Sequence, residues 1–499
     1  MTIPHLNIDW HARVTALQLP RQAFINGRYL NAASGATFAC ISPIDGRELT
    51  QVAACDAADI ELAVRAARNS FNHGTWAQAA PAERKRVLLK FADLIEAHTD
   101  ELALLETLDM GKPIRYSLSV DVPAAVRCLR WYAEAIDKLY AAVAPTAQDV
   151  LATITREPVG VVGIIVPWNF PLIMACWKFA PALAAGNSVI LKPSEKSPLT
   201  TIRIAELASQ AGLPDGVFTV VPGLGHIAGK ALALHMDVDC IAFTGSTATG
   251  KLMLQYAGQS NLKRVWLECG GKSANIVMAD ANDLDEVART AAAAIYFNQG
   301  EMCSAGSRLL VQASVQESLL ERIAHYASQY QAGDPLDINT KLGAIVDEPQ
   351  LQRVLSYIES GRHEGAALRF GGKRLLESSG GYYLEPTLFA SVKPAMKIAQ
   401  EEIFGPVLSV ISFNDAAEAI RIANDVVYGL AGAVWTRDLN TAHRMSRALR
   451  AGVVYVNCYD EDDITVPFGG YKQSGFGRDK SLHAIDKYTE LKTTWIKLK

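Results

Sequence analysis

Val159-Gly-Val-Val-Gly-Ile-Ile-Val166, Ser188-Val-Ile-Leu-Lys192, Val217-Phe-Thr-Val-Val221, Cys240-Ile-Ala-Phe243 and Arg264-Val-Trp-Leu267 are five short apolar runs rich in β-branched residues. Between them lie stretches such as Pro198 to Ala211 and Ser246 to Ala257, where apolar residues recur every three or four positions, opening with Pro or Ser and often closing with Gly. Strands that are apolar throughout, rather than on alternate residues, are buried on both faces. Strand and helix in alternation therefore predict a parallel sheet covered on both sides, the doubly wound α/β architecture.

Outward from this core, the first 130 or so residues add helical stretches at Asp59 to Phe71 and Pro81 to Ala97, read as packing for the same domain. After Gly271 a second β/α series starts at Ala274-Asn-Ile-Val-Met278 and continues through Leu309 to Val311, Val407 to Ile411 and Val453 to Val456. The expected division is 1–140 with 157–269 as one domain and 270–480 as a second α/β domain. The segments 141–156 and 481–499 are β-rich and belong to no βαβ unit, so they are expected to form an arm that pairs with another subunit.

The chain has 499 residues, enough for two or three domains, with 49% hydrophobic and 20% charged residues. Its net charge of −4 carries no basic footprint for nucleic acid. No apolar run reaches membrane-spanning length, and the N-terminus lacks a signal-peptide pattern, so no membrane partner and a cytoplasmic location are expected. Eight cysteines are scattered without a C-x-x-C pair, and no metal site is expected.

Four positions have the chemistry of a site. Gly245-Ser246-Thr-Ala-Thr-Gly250-Lys251 follows a strand and opens a helix, where backbone N–H groups hold phosphate; Leu252 cannot supply the magnesium-ligating hydroxyl of a P-loop. Cys303, in Gly300-Glu-Met-Cys303-Ser-Ala-Gly306, sits in a small-residue turn suited to an exposed thiolate, although most cysteines are buried structural thiols. Glu268 ends a strand at the sheet edge where ligands bind, and partial desolvation there would make it a general base; a plain surface Glu is the alternative. The amide of Asn169 either donates to an oxyanion or simply caps the helix that follows.

Together these segments resemble the aldehyde dehydrogenase superfamily over essentially the whole chain. Pro167-Trp-Asn-Phe-Pro171, Leu191-Lys-Pro-Ser-Glu195, Phe243-Thr-Gly-Ser246, Leu267-Glu-Cys-Gly-Gly-Lys272, the Cys303 turn, Glu401-Glu-Ile-Phe-Gly-Pro406 and Pro467-Phe-Gly-Gly-Tyr-Lys-Gln-Ser-Gly475 match in order. The resemblance implies a cofactor domain, a catalytic domain and a β-arm that builds homo-oligomers, a dimer of dimers before a simple dimer. It implies Cys303 as nucleophile, Glu268 as the base that activates water, and Asn169 as oxyanion donor. It also implies NAD as cofactor, NADP being possible. Lys192 and Glu195 would contact the adenosine ribose, Gly245 and Ser246 the pyrophosphate and Glu402 the nicotinamide ribose, with Phe404 and Trp168 lining the cleft. Glu301 stands where many relatives have Gln, and its charge is expected to disfavour the Cys303 thiolate.

By the same resemblance Phe170, Met174, Trp177, Tyr296, Tyr459 and Phe468 would line an aldehyde tunnel. Asp121 and the run Asp460-Glu-Asp-Asp463 would stand near its mouth, carboxylates suited to a cationic tail unless the run is only a solvated loop. Trp131-Tyr-Ala-Glu-Ala-Ile-Asp137 and Phe476-Gly-Arg-Asp-Lys-Ser-Leu-His483 are similar to the bacterial γ-glutamyl-γ-aminobutyraldehyde dehydrogenases of polyamine breakdown. A broad-specificity oxidiser of aliphatic aldehydes such as 3-hydroxypropanal is the alternative, and a cofactor-free thiol hydrolase a weaker one.

Overall fold

The structure, a computed structural model, describes residues 8–498. The five apolar runs form β1 (Val161–Ile165), β2 (Ser188–Lys192), β3 (Phe218–Val220), β4 (Cys240–Thr244) and β5 (Arg264–Glu268), each of them wholly buried except β5. They lie parallel in the order β3-β2-β1-β4-β5, with Val162 opposite both Val189 and Cys240. The order reverses between β1 and β4, so the loops leaving their carboxyl ends diverge and open a crevice. The helices α1 (Pro171–Ala184), α2 (Leu199–Ala211) and α3 (Thr247–Gly258) connect these strands. Pro171 takes the first turn of α1, where its missing N–H costs nothing, and all 14 residues of that helix are buried.

The second series gives β6 (Ala274–Val277), β7 (Arg308–Gln312), β8 (Thr387–Ala390), β9 (Val407–Phe413), β10 (Ala431–Trp435) and β11 (Val453–Val456). Their order is β8-β9-β7-β6-β10-β11, all parallel, with α4 (Leu284–Tyr296) leading from β6 toward Cys303. The sequence pattern missed β8 and β10. The second is Ala-Gly-Ala-Val-Trp, whose small residues carry little β signal yet fit between β6 and β11.

Ala142–Ala144, Val150–Pro158 and Thr489–Lys497 form a separate three-stranded antiparallel sheet, Thr489 facing Pro158 and Lys497 facing Val150. Leu491, Trp495, Ile496 and Leu498 are exposed along the last of these strands and beyond its end. The N-terminal region is not only helical. A hairpin of Ala23–Ile25 and Arg28–Leu30 extends the first sheet beside β3, and Thr37–Ile41 pairs with Glu48–Ala53. Gly475–Phe476 returns from beyond the second sheet to pair with Leu267 and Glu268 of β5, so the chain crosses back to the first sheet at the site itself. No helix among the described residues is long and apolar enough to cross a membrane.

One buried ionic cluster ties α1 to this returning segment. Asp479 accepts from Lys178 at 2.8 Å and from Lys487, and all three side chains are nearly inaccessible. Burial alone would raise the Asp479 carboxyl, but the two ammonium groups outweigh it and hold it down at about 2. Its folded value lies below that of an unfolded Asp, about 3.9. The stability it contributes is thus complete above pH ~4 and lost as pH falls through 2. Asp479→Asn should destabilise the fold by about 3–5 kcal/mol by leaving two buried cations without a counter-charge, measurable by urea denaturation at neutral pH.

Candidate active site

The crevice at the carboxyl ends of β1 and β4 holds a cavity of about 220 Å3. Trp168 and Asn169 follow β1 on one wall, Thr244 to Ser246 follow β4 on another, and Glu268 closes the end of β5. The second sheet supplies the remaining wall with Cys303, Glu402 and Phe404.

The turn before Cys303 is left-handed at three successive residues, Asn298 (φ 48°), Gln299 (φ 57°) and Gly300 (φ 71°). Two of these are not glycine, a strained arrangement that surrounding bonds must enforce. Asn298 Nδ2 donates to the carbonyls of Asn169 and Glu301 at 3.2 and 3.1 Å. Asn169 Nδ2 donates to the same Glu301 carbonyl at 2.9 Å, and Gln299 is held by Gly343 N and Ala344 O. The Asn169 amide is thus fixed on the residue two before Cys303, with a second N–H left to donate. The Glu301 carboxyl does not threaten the thiolate as expected. It is fully buried, accepts from Val346 N at 3.1 Å, and burial raises it well above the usual carboxylate range, which favours its uncharged form.

Glu268 is buried beside the Cys303 and Thr244 side chains, and burial pushes it up to about 7. Burial also raises the Cys303 thiol well above its ordinary value, followed by the charges of Glu268 and Glu402. A buried carboxyl poised near neutrality beside a part-exposed thiol is the pairing expected of a general base and a nucleophile. Gly270 and Gly271 let these groups converge. A Cβ on Gly270 would overlap the Glu402 carboxylate, and one on Gly271 would overlap the Cys303 carbonyl. Glu402 Oε1 accepts from Gly271 N at 2.9 Å, and burial raises this carboxyl also to about 7.

At the far end of the crevice Lys192 Nζ is 2.9 Å from Glu195 Oε2. Burial opposes the Glu195 charge, but Lys192 and the Gly225 N–H more than offset it and hold the carboxyl below its ordinary value. Trp168 meets Phe404 edge to face, their centroids 5.2 Å apart. The donor set fits a dinucleotide. A charged carboxylate stands where a ribose hydroxyl would bond, Ser246 caps a helix N-terminus, and the buried Thr244 side chain lines the cavity. Sequence reasoning missed Gln350 and Arg353 on the same cavity. Gln350 Nε2 donates to Phe404 O at 2.8 Å and Arg353 to Glu402 O at 3.1 Å; no motif marks these two.

Of the expected tunnel residues, Phe170, Met174, Trp177 and Phe468 share one apolar cluster with the part-exposed Phe297, Met302 and Cys303. Phe170 stacks on Phe297 at 6.2 Å, and Trp177 lies 5.3 Å from Phe468. Tyr459 donates to Ser304 O at 2.7 Å, beside the nucleophile. Two expectations need correction. Tyr296 is fully buried in the second domain's core, bonded to Thr387 O; it is Phe297, one residue on, that turns toward the cluster. Asp121 is not near a mouth: it is fully buried, 2.7 Å from Lys112 Nζ, whose other carboxylate neighbour is Glu106.

A parallel-sheet crevice that gathers a thiol, a desolvated carboxyl and a donor set fitting a dinucleotide defines a dehydrogenase. The chain belongs to the aldehyde dehydrogenase family, whose model matches residues 29–494, and it is an NAD(P)-dependent aldehyde dehydrogenase. It is 55% identical over 489 residues to the NADP/NAD-dependent aldehyde dehydrogenase PuuC of Escherichia coli (strain K12), covering 98% of each chain. Its structure is similar to that of an indole-3-acetaldehyde dehydrogenase complexed with NAD+ (TM-score 0.98, 61% identity, 98% and 99% of the two chains). It is also similar to γ-glutamyl-γ-aminobutyraldehyde dehydrogenase from Burkholderia cenocepacia J2315 (TM-score 0.97, 60% identity, 98% and 99%).

Two outcomes are expected from this geometry. Glu268 is ionised only above pH about 7, so single-turnover thioester hydrolysis should rise with pH through about 7 and then level off. In Glu268→Gln, NADH should appear as a stoichiometric burst without steady turnover. Gly270→Ala should displace the Glu402 carboxylate and weaken NAD binding by roughly tenfold or more, read by quenching of protein fluorescence.

Proposed function

We propose that Cys303 is the nucleophile, Glu268 the general base and Asn169 the oxyanion donor of this dehydrogenase. The observation that carries the reading is the convergence of the three groups on one cavity, with the Asn169 amide anchored to the nucleophile's own loop. The Cys303 sulfur forms a bond to the aldehyde carbon, and the Asn169 amide with the Cys303 N–H stabilises the resulting oxygen anion. Bound NAD(P) would supply the hydride acceptor for that carbon, which would leave a thioester on Cys303. Glu268 then takes a proton from water as the water adds to the thioester carbon. The C–S bond breaks, releasing the carboxylic acid and the thiolate. Lys192, Glu195, Gly245, Ser246 and Glu402 hold the cofactor, with Trp168 and Phe404 against it.

For the substrate, we favour an aldehyde of polyamine breakdown, γ-glutamyl-γ-aminobutyraldehyde or another aminoaldehyde. The similarity to PuuC, to the Burkholderia enzyme and to the aminoacetaldehyde dehydrogenase of Pseudomonas aeruginosa supports this. The exposed apolar strand Thr489–Lys497 supports a homo-oligomer built through the 141–156 and 481–499 arm, as a dimer of dimers, in the cytoplasm.

The test is kcat/KM, followed by NADH absorbance at about 340 nm, for γ-glutamyl-γ-aminobutyraldehyde, 4-aminobutanal, 4-guanidinobutanal and propanal with NAD and then NADP. A preference of roughly tenfold or more for a nitrogen-bearing aldehyde is expected. Equal values throughout would make the enzyme a broad-specificity oxidiser.

A further inference from the structure

Lys112 is wholly buried, and so are the two carboxyl groups that hold it, Asp121 Oδ1 at 2.7 Å and Glu106 Oε1 at 3.5 Å. Asp121 ends a single π-helical turn, Ser117–Asp121, set between Ile114–Tyr116 and the helix Val122–Ala135. Such turns are rare and cluster at functional sites. Glu106 lies on the helix Thr99–Met110, and its other oxygen accepts from Leu172 N at 3.3 Å in the first turn of α1. Burial, and then the Asp121 charge, raise the Glu106 carboxyl well above its ordinary range. The cluster therefore holds one ion pair beside an acid whose uncharged form is favoured.

Two ties run from this cluster to the reaction path. Lys112 Nζ lies over the ring of Phe170, 4.0 Å from its centroid, and Phe170 follows Asn169 directly. Phe170 stacks on Phe297 at 6.2 Å, and Phe297 meets the ring of Tyr116 edge to face at 4.8 Å. The second tie is in the backbone. Gly111 O accepts from Ala344 N at 3.1 Å, and Gln299, in the left-handed turn before Cys303, bonds to both Gly343 N and Ala344 O. A Cβ on Gly343 would overlap the Gly111 carbonyl. Lys112 is thus tied to the Phe170 ring by its side chain and to the Cys303 turn through its neighbour.

Apolar side chains of similar volume would fill the space of a buried ion pair at less cost, so packing alone does not account for it. What an ammonium adds is direction, because it attracts an aromatic ring through its face and not its edge. Asp121 balances Lys112, so the pair presents no net charge to a substrate, and its action on the path goes through the ring. We propose that Lys112 is a positioning residue for the aldehyde. Anchored by Asp121, it holds the face of Phe170 in one orientation beside Phe297, and that ring forms the wall along which the tail beyond the carbonyl lies. This deepens the aldehyde-oxidation reading and rests on its placement of Phe170 along the substrate path.

The experiment compares kcat/KM, with saturating NAD, for hexanal, which has a tail to lay along the wall, and acetaldehyde, which does not. The double variant Lys112→Met/Asp121→Asn removes the ion pair without stranding a charge. It should lower the hexanal-to-acetaldehyde ratio by about fivefold or more while NAD affinity, read by fluorescence quenching, stays within about twofold. Phe170→Leu should lower the ratio as well, and adding the double variant to it should lower the ratio no further, because the ring through which Lys112 acts is gone. Trifluorophenylalanine at position 170 keeps the shape of the ring but weakens its negative face, and should lower the ratio by about twofold or more. A role in stability alone predicts additive losses, a parallel fall in NAD affinity and no response to fluorination. Any of these results, or an unchanged ratio in the double variant, would overturn the proposal. If the double variant does not fold, the trifluorophenylalanine enzyme decides. If neither aldehyde reduces NAD in the wild type, the aldehyde-oxidation reading fails and this proposal with it.

Discussion

The Glu301 carbonyl holds the two halves of this enzyme in working register. It accepts from Asn169, which follows the first strand of one sheet, and from Asn298, in the turn before the nucleophile of the other. Groups carried on two separate sheets can act on one molecule only if their separation is fixed within a fraction of an ångström. A single backbone oxygen shared by two side-chain amides fixes it. Because the turn 298–300 is left-handed at each residue, it does not lie at a backbone minimum of its own, and these amide bonds keep it there. The Gly270-Gly271 pair does the same from the other side, since any side chain at either position would push Glu402 or Cys303 out of the crevice.

That convergence has an electrostatic cost. Glu268 and Glu402 are carboxyls raised to about 7 by burial, and the thiol between them is raised by burial and by both of them. A carboxyl whose folded value exceeds its unfolded one opposes folding once pH passes the unfolded value, so these groups weaken the fold at neutral pH. The fold recovers stability elsewhere, behind the site, where Asp479 is held ionised between Lys178 and Lys487. The same neighbourhood thus holds a neutral-poised acid facing the cavity and a strongly ionised one behind it, distinguished by whether an ammonium stands within contact.

Much of this was legible in the sequence because it depends on local patterning. The five apolar runs became the five parallel strands within a residue or two, and their β3-β2-β1-β4-β5 order puts the crevice where strand-end residues Trp168, Ser246 and Glu268 already pointed. What failed depended on side-chain direction or on distant partners. Tyr296 and Phe297 are adjacent aromatics at the end of α4, and one residue of helical phase decides which is core and which meets Phe170. Asp121 reads as a free acid, but Lys112 and Glu106, fixed by the neighbouring helix, claim it in the interior. Gln350 and Arg353 belong to a helix remote in sequence, with no glycine or charge run to mark them. Glu301 looked like a harmful charge, but the Val346 N–H holds its carboxyl and complete burial raises it well above the usual range.

The acidic run at 460–463 shows why composition overstates charge. Four consecutive acids suggest a negative mouth, but a carboxylate's field depends on its partner as much as on its own charge. One is neutralised by Lys480 and one is committed to a turn, while Asp460 is pushed up to about 7 by burial and by Asp462, so it is only part-ionised at neutral pH.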